Sequence, residues 1–385
     1  MIIERSYRLG STGPEVAEIR IRLTALGLLD DRTDGFQDPG TAVFDEAVDR
    51  AVRAFQQRRG IISDGIVGPV TFRALEEARW RLGDRILLYS HNHPLTGDDV
   101  AALQQRLLDL GFDSGRMDGV FGADTESALR DFQRNVGIAP DGTAGPLTFK
   151  ALTQLTRTVR GGSPQAMRDA ERIQRAGPAL SGKVLVVDPG HGGTDRGATG
   201  HGLEELTVVH DLAARIEGRL GALGGFAFLT RGADGNPTDA ERAGFANGAE
   251  ADLLISLHCD RHDNPEANGV STYHYGNDRY GHSSAMGAEF AGLVQREIVA
   301  RTDLQDCRTH AKTWDLLRYT RMPAVRIELG YVTNAGDAAR LADATFRDTI
   351  AEAVVVAVQR LYLPPEQDAD TGFLRLPAAP EALRR

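Results

Sequence analysis

Two histidines and two glutamates stand where chemistry could be done. His191 follows Asp188-Pro189-Gly190, directly after the uncharged β-branched run Val184–Val187, and glycines keep the backbone around it thin. His258 ends the run LLISLH, Glu328 sits in the run AVRIELG, and Glu205 opens the helix expected after the first strand's loop. Apolar runs of this length read as buried strands, where a carboxylate is costly unless paired, usefully ionised or metal-bound. In mostly parallel strands, His191, His258 and Glu328 meet at one edge of the sheet, where open α/β sheets place ligands. The loop–helix junction then brings Glu205 over that edge. Two imidazoles and one carboxylate are the donor set of a catalytic zinc with a position left for water. A further carboxylate beside that water is the general base and acid of metal-assisted hydrolysis. Spacing alone does not decide the matter, because Asp188-Pro189-Gly190-His191 also reads as a glycine-rich turn carrying an ordinary histidine. A dinucleotide loop fails, since GxGxxG from Gly190 would need glycine at Asp195.

The elements that must position these groups lie between Gly182 and about Leu363, where strands and helices alternate in the α/β manner. Strands are predicted at Val184–Val187, Phe226–Thr230, Leu253–Leu257, Val270–Tyr275 and Val325–Leu329. Helices are predicted at about Leu206–Leu223, Asp239–Ala249, Ser283–Thr302 and Asp337–Leu361. Thr238 with Glu241 three residues on forms a capping box for the second helix.

Composition bounds the rest. A chain of 385 residues suggests two or three domains. Its net charge of −10 argues against nucleic acid as a partner, because phosphate binding wants a basic face. No apolar run approaches the roughly 18 residues of a membrane span. Two cysteines, Cys259 and Cys307, make no disulfide framework and are read as free thiols. Glu4 and Arg5 stand where a signal peptide would place its apolar core, so the sequence as written predicts a cytoplasmic chain. An incomplete start or non-standard export would place it instead at the cell wall.

The first ~155 residues contain a duplication. Val16, Ile19, Leu23, Leu26 and Gly27 recur 84 positions later as Val100, Leu103, Leu107, Leu110 and Gly111. Phe55-Gln56, Gly60-Ile61, Asp64-Gly65, Gly68-Pro69, Thr71-Phe72 and Leu75 recur 77 positions later, which places a seven-residue insertion in the first copy. Each unit reads as helix, loop, helix, Asp-Gly turn and a short helix opening after Gly-Pro. The Phe-Gln pair is read as a core aromatic and a helix-face amide. This repeat resembles the three-helical peptidoglycan-binding domain attached to many cell-wall hydrolases. The resemblance implies a shallow groove for the glycan-peptide; a scaffold or protein-binding surface is the other reading.

The ordered segments DPGHGGTDRGATG, GLEEL, LTR, ERAGFAN, ADLLISLH, NGVSTYHY and LLRYTRMPAVRIELGYVTN resemble the zinc-dependent N-acetylmuramoyl-L-alanine amidases of the amidase-3 type. The resemblance covers essentially all of 182–363. The Gly- and Pro-marked stretch 157–181 reads as a linker holding one short helix over about Gln165–Ala176. Together the two resemblances imply a multidomain chain: two all-α peptidoglycan-binding domains at 6–80 and 86–156, then that linker and an amidase domain at 182–364. That last domain is α/β, a mixed, mostly parallel twisted sheet flanked by helices. Residues 365–385 read as a disordered polar tail. The activity implied is cleavage of the amide joining muramic acid's lactyl group to the stem peptide's L-alanine, with Zn²⁺ as cofactor. His191, Glu205 and His258 match the family's zinc ligands and Glu328 its catalytic glutamate; the Gly-Leu-x-Glu order picks Glu205 over Glu204. Arg242 and Asn247 match an R…AN pattern and are candidates for substrate contact or for anchoring their helix. Cys259 stands where alanine is usual and is read as a buried thiol pointing away from the metal. The partner implied is peptidoglycan or its precursors. The layout also resembles the actinobacterial CwlM-like branch, which includes cytoplasmic regulators of precursor synthesis, so regulatory protein partners form a second reading. On that reading Thr371, beside Asp368 and Asp370, is a candidate phosphorylation switch.

Overall fold

A computed structural model of the chain describes residues 6–30, 39–91, 93–155, 164–277, 282–364 and 368. The chain divides into two compact units, one over 1–165 with 277–282 and one over the remainder.

The first unit holds the duplication as two helical triplets: α1 (Pro14–Ala25), α2 (Glu46–Arg59) and α3 (Pro69–Glu77), then α4 (Asp98–Asp109), α5 (Ala123–Asn135) and α6 (Pro146–Gln154). Each triplet closes its own core, around Leu23, Phe44 and Phe55 in the first and Leu107, Phe121 and Phe132 in the second. The Phe-Gln glutamines are not on a helix face. Gln133 is 1% exposed. Its amide donates to Asp141 Oδ1 (2.9 Å), the Thr143 carbonyl (3.0 Å) and Thr148 Oγ1 (3.2 Å), and accepts from Gly142 N (2.9 Å). Gln56 does the same with Asp64, Ile66, Thr71 and Gly65. Gln104 repeats the pattern with Asp118, Val120, Thr125 and Gly119. One amide thus pins each Asp-Gly turn to the helix before it and to the threonine of the helix after it. The glycine is required, since φ at Gly142 is 73° and a side chain there would strike Arg130 and Glu126. Gln133→Ala removes four hydrogen bonds around the turn, those of the buried Gly142 N and Thr148 Oγ1 among them, and the second triplet is expected to lose about 2–3 kcal/mol, measurable as a lower denaturation midpoint for that triplet.

The second unit is α/β. Helix α7 (Pro164–Arg175) precedes β1 (Val184–Pro189) and the hairpin β2 (Thr199–Gly200)–β3 (Leu203–Glu204). Then come α8 (Glu205–Ala222), β4 (Phe226–Leu229), α9 (Asp239–Gly248), β5 (Leu253–Asp260), β6 (Val270–Asn277) and β7 (His282–Ser283). The remainder is α10 (Ala285–Arg301), β8 (Asp306–Lys312), α11 (Asp315–Tyr319), β9 (Ala324–Tyr331), α12 (Ala335–Ala342) and α13 (Ala344–Leu361). The sheet order is β4-β1-β5-β9-β6-β7, with β8 joined to β6. Strands β4, β1, β5 and β9 are mutually parallel, and β6 runs antiparallel to β9. The mixed, mostly parallel sheet flanked by helices is the architecture the resemblance implies.

Alternation along these strands divides the two faces. Leu185, Val187, Ile255, Leu257, Ile327 and Leu329 belong to the larger core, with residues of α8, α10 and α13. Val186, Leu254 and Ala324 belong to a smaller core with α9 and α11. Asp188, Ser256, His258, Arg326 and Glu328 share the parity of the second face.

Three expectations are corrected here. The predicted helix over 337–361 breaks at Asp343, whose side chain accepts from Thr345 N and caps a new helix, α13. Strand β8 and helix α11 were not expected. The end of the predicted 157–181 linker belongs to the α/β unit: Ile173 and Leu180 sit in its core, and Lys183 Nζ donates to the carbonyls of Ala176, Gly177 and Ala179. The predicted tail, Thr371 and Asp370 included, lies outside the described residues except Asp368, which pairs with Arg296 and Arg360. No described helix is long and apolar enough to cross a membrane.

Candidate metal centre

The carboxyl ends of β1, β5 and β9 bring the sequence-selected residues together. His258 and Glu328 are cross-strand partners, and the turn after Pro189 carries His191 alongside. The β2–β3 hairpin folds the first residue of α8, Glu205, over the same edge. Among the described residues, one atom each of His191, Glu205 and His258 lie within 4.8 Å of one another, in a grouping able to hold a metal ion. Glu205 Oε2 lies 3.1 Å from His191 Nε2, and Glu205 Oε1 lies 2.9 Å from His258 Nδ1. The same carboxylate accepts from Ala198 N (2.7 Å) and Cys259 N (2.9 Å), which fixes its orientation.

The surroundings are cut to this cluster. A Cβ at Gly190 would lie 2.2 Å from the His258 ring, and one at Gly197 would lie 2.5 Å from Glu205 and 2.6 Å from His191. His191 itself adopts φ 57°, a left-handed conformation rare outside glycine. That conformation is held from below. Arg242 donates to the Pro189 and His191 carbonyls (2.8 and 2.7 Å), while Arg231 donates to those of Pro189 and Gly190 (2.8 and 2.9 Å). Arg242 in turn pairs with Asp188 Oδ1 at 2.6 Å, and Asp188 also accepts from Ser256 and Thr230. The Nδ1 of His191 meets Asp195 Oδ2 at 2.8 Å, which orients the ring as carboxylates behind ligating imidazoles do.

Electrostatics separate the groups. Burial pushes Glu205 toward the neutral form, but hydrogen bonds and charge from His191 and His258 outweigh it and hold the carboxylate well below its usual range. The two imidazoles move apart. Burial opposes the charge of His191, yet Glu205 and Asp195 raise its pKa; His258 is sealed in more tightly, and burial with the nearby Arg326 brings it down to about 4. A neutral His258 is the form that ligates a metal. Burial also drives Glu328 upward; Arg326 opposes the rise and the Glu205 and Asp260 charges support it, leaving Glu328 at about 7. Its Oε1 is engaged by Arg326, whereas its buried Oε2 takes no hydrogen bond from the described residues. The donor set, the glycine cradle and the paired ring nitrogens fit a resident divalent cation.

Other candidates fall away from the edge. Glu204 pairs with Arg196 on the exposed side of the hairpin. Arg242 is 4% exposed and fully engaged beneath the metal loop, and Asn247 binds the Tyr319 carbonyl and Arg321 N. Both side chains serve as anchors in these contacts. Cys259 is buried in the opposite core, and burial raises its thiol pKa well above normal. Sequence reasoning passed over Asp195 and Arg326 as parts of the site. For Arg326 a signal existed, since Arg-x-Glu on a strand puts both side chains on one face.

Comparison with known proteins places these features. Residues 185–360 match the family described as N-acetylmuramoyl-L-alanine amidase, and residues 12–75 and 96–152 match that described as putative peptidoglycan binding domain. N-acetylmuramoyl-L-alanine amidase CwlM of Mycobacterium tuberculosis is 48% identical over 375 residues, covering 95% of this chain and 92% of the relative. N-acetylmuramoyl-L-alanine amidase LytC of Bacillus subtilis is 34% identical over 173 residues, 45% of this chain and 34% of the relative. The solved N-acetylmuramoyl-L-alanine amidase AmiC2 of Nostoc punctiforme is 32% identical, with a TM-score of 0.43, over 46% of this chain and 96% of its own.

Proposed function

The chain belongs to the N-acetylmuramoyl-L-alanine amidase family, and from that premise we propose that it hydrolyses the amide between N-acetylmuramic acid and L-alanine in peptidoglycan. His191, Glu205 and His258 would hold Zn²⁺, and the two N-terminal triplets would retain the glycan substrate. The observation that carries this reading is a two-histidine, one-carboxylate cluster with an unpartnered Glu328 oxygen on the neighbouring strand. When bound, zinc polarises the amide carbonyl and acidifies the attacking water. Glu328 Oε2 accepts the water's proton as oxygen attacks the carbonyl carbon. The same oxygen returns the proton to the alanine nitrogen as the C–N bond breaks, so the amine leaves neutral. Asp195 holds the His191 ring, and the anchored backbone of Pro189–His191 keeps that ring in place.

The test is incubation of the purified chain with muropeptide before and after chelation. Release of stem peptides with a free L-alanine amine is expected from the zinc-loaded chain, with loss on chelation and recovery on adding zinc. Cleavage that persists after the metal is removed, or no cleavage by the loaded chain, would overturn the proposal.

A further inference from the structure

Arg326 and Glu328 alternate on β9 and so share one face of the sheet. The arginine's Nε lies 2.9 Å, and its Nη2 2.7 Å, from Glu328 Oε1. Both nitrogens converge on one oxygen. An arginine that only neutralises a carboxylate commonly spans both oxygens with parallel bonds; here the second oxygen, Oε2, is buried and without a hydrogen bond. The guanidinium is itself braced, lying 4.5 Å over the Trp314 ring, which stands 4.6 Å from Tyr273. Tyr273 is the cross-strand partner of Arg326, and its hydroxyl accepts from Ser271, the cross-strand partner of Glu328. Trp314 thus braces the arginine, Tyr273 backs Trp314, and Ser271 stands opposite the glutamate in the sheet, none of them a member of the metal cluster.

We propose that Arg326 is a positioning residue for Glu328: stacked on Trp314, it holds one carboxylate oxygen and so presents the other as the proton acceptor. The consequence for turnover rests on the amidase reading; the placement of the side chain does not. Without the guanidinium, Glu328 regains freedom about its side-chain torsions, and misplacement of a reacting group by about 1 Å costs on the order of 100-fold in rate.

The experiment uses the full zinc-loaded chain with Arg326→Met and Arg326→Lys, read by zinc content, kcat and KM on muropeptide, and crystal structures. Arg326→Met should keep its zinc and its KM while kcat falls about 10–100-fold, with partial recovery in Arg326→Lys. In its crystal structure the Glu328 carboxylate should leave its place or occupy several rotamers, with His258 and Glu205 unmoved. Trp314→Leu removes the brace but keeps the charge, and should give a smaller kcat loss with the same unchanged KM. It decides the matter if Arg326→Met does not fold. A Glu328 carboxylate still in one unchanged rotamer without its arginine, or a kcat equal to wild type, overturns the proposal. If the loaded wild type releases no stem peptide, the amidase reading falls, and the rotamer of Glu328 alone decides for or against Arg326.

Discussion

Glu328→Gln is expected to lower kcat on muropeptide by about 10²–10⁴-fold, the range that a positioned general acid–base contributes, with zinc content and fold unchanged. The amide keeps the shape of the side chain and its place in β9, but it has no carboxylate to take a proton. It also removes a buried charge that burial disfavours: Glu328 is 6% exposed, and its pKa stands at about 7 in the metal-free chain. A carboxyl whose native pKa lies above its unfolded value weakens the fold as pH rises through that interval. Glu328→Gln removes that cost but leaves the Arg326 cation without its counter-charge, so the expected signature is the loss of this pH dependence: stability of the metal-free variant should fall less than that of wild type as pH rises to about 7. The same shift sets the sign of the activity profile. Proton acceptance needs the ionised form, so turnover should fall as pH drops, on a limb at or below about 7, because a bound dication draws the value down further. Steady-state kinetics across pH, with metal analysis of both proteins, checks each point; a glutamine variant within a few-fold of wild type would remove Glu328 from the chemistry.

That His191, His258 and Glu328 stand at strand ends was legible from short-range rules, whereas the choice of Glu205 over Glu204 and the reading of the set as a metal centre rested on the family resemblance. Apolar runs mark the buried strands, parallel crossovers align their carboxyl ends, and a polar residue at such an end has few other places to go. What escaped needs register or three-dimensional neighbours. Asp188 reads as part of a turn until pairing with β5 sets it opposite Ser256 and within reach of Arg242, 54 residues away. His191 adopts a left-handed backbone that is uncommon outside glycine, and the arginines that hold the loop carbonyls lie 40 or more residues away in sequence. The break at Asp343 is hidden because the apolar spacing of α12 and α13 runs on through it, and one capping carboxylate decides the matter. Gln56 and Gln133 were misread for a different reason. A polar residue next to a core phenylalanine is usually on the exposed side, and burial here becomes favourable because one amide finds partners for both its oxygen and its nitrogen in the Asp-Gly turn.

Asp188→Asn should destabilise the α/β unit by about 3–5 kcal/mol. Asp188 is fully buried, and its charge is answered by Arg242, 4% exposed, together with the hydroxyls of Ser256 and Thr230. The asparagine fits the space but leaves the Arg242 cation buried without a counter-charge, and one former acceptor position now carries donors facing Ser256 or Thr230. Because Arg242 also holds the Pro189 and His191 carbonyls, the loss spreads to the metal loop, and weaker zinc retention should accompany the lower stability. The double change Asp188→Leu with Arg242→Met removes both charges and should recover much of the folding loss, though not the zinc affinity, since the carbonyls of the loop remain unheld. The pH dependence has a definite sign. Burial favours the neutral acid, but Arg242 and the two hydroxyls outweigh it and hold Asp188 below its usual range. A depressed native pKa contributes stability that is fully present above the unfolded value of about 3.9 and is lost as pH falls through the native one. Wild type should thus lose this contribution only in strong acid, and Asp188→Asn should lack it at every pH. Urea unfolding of the metal-free chain from pH 3 to 7 measures the difference; equal stability of wild type and Asp188→Asn at pH 7 would show that Arg242 finds its counter-charge elsewhere.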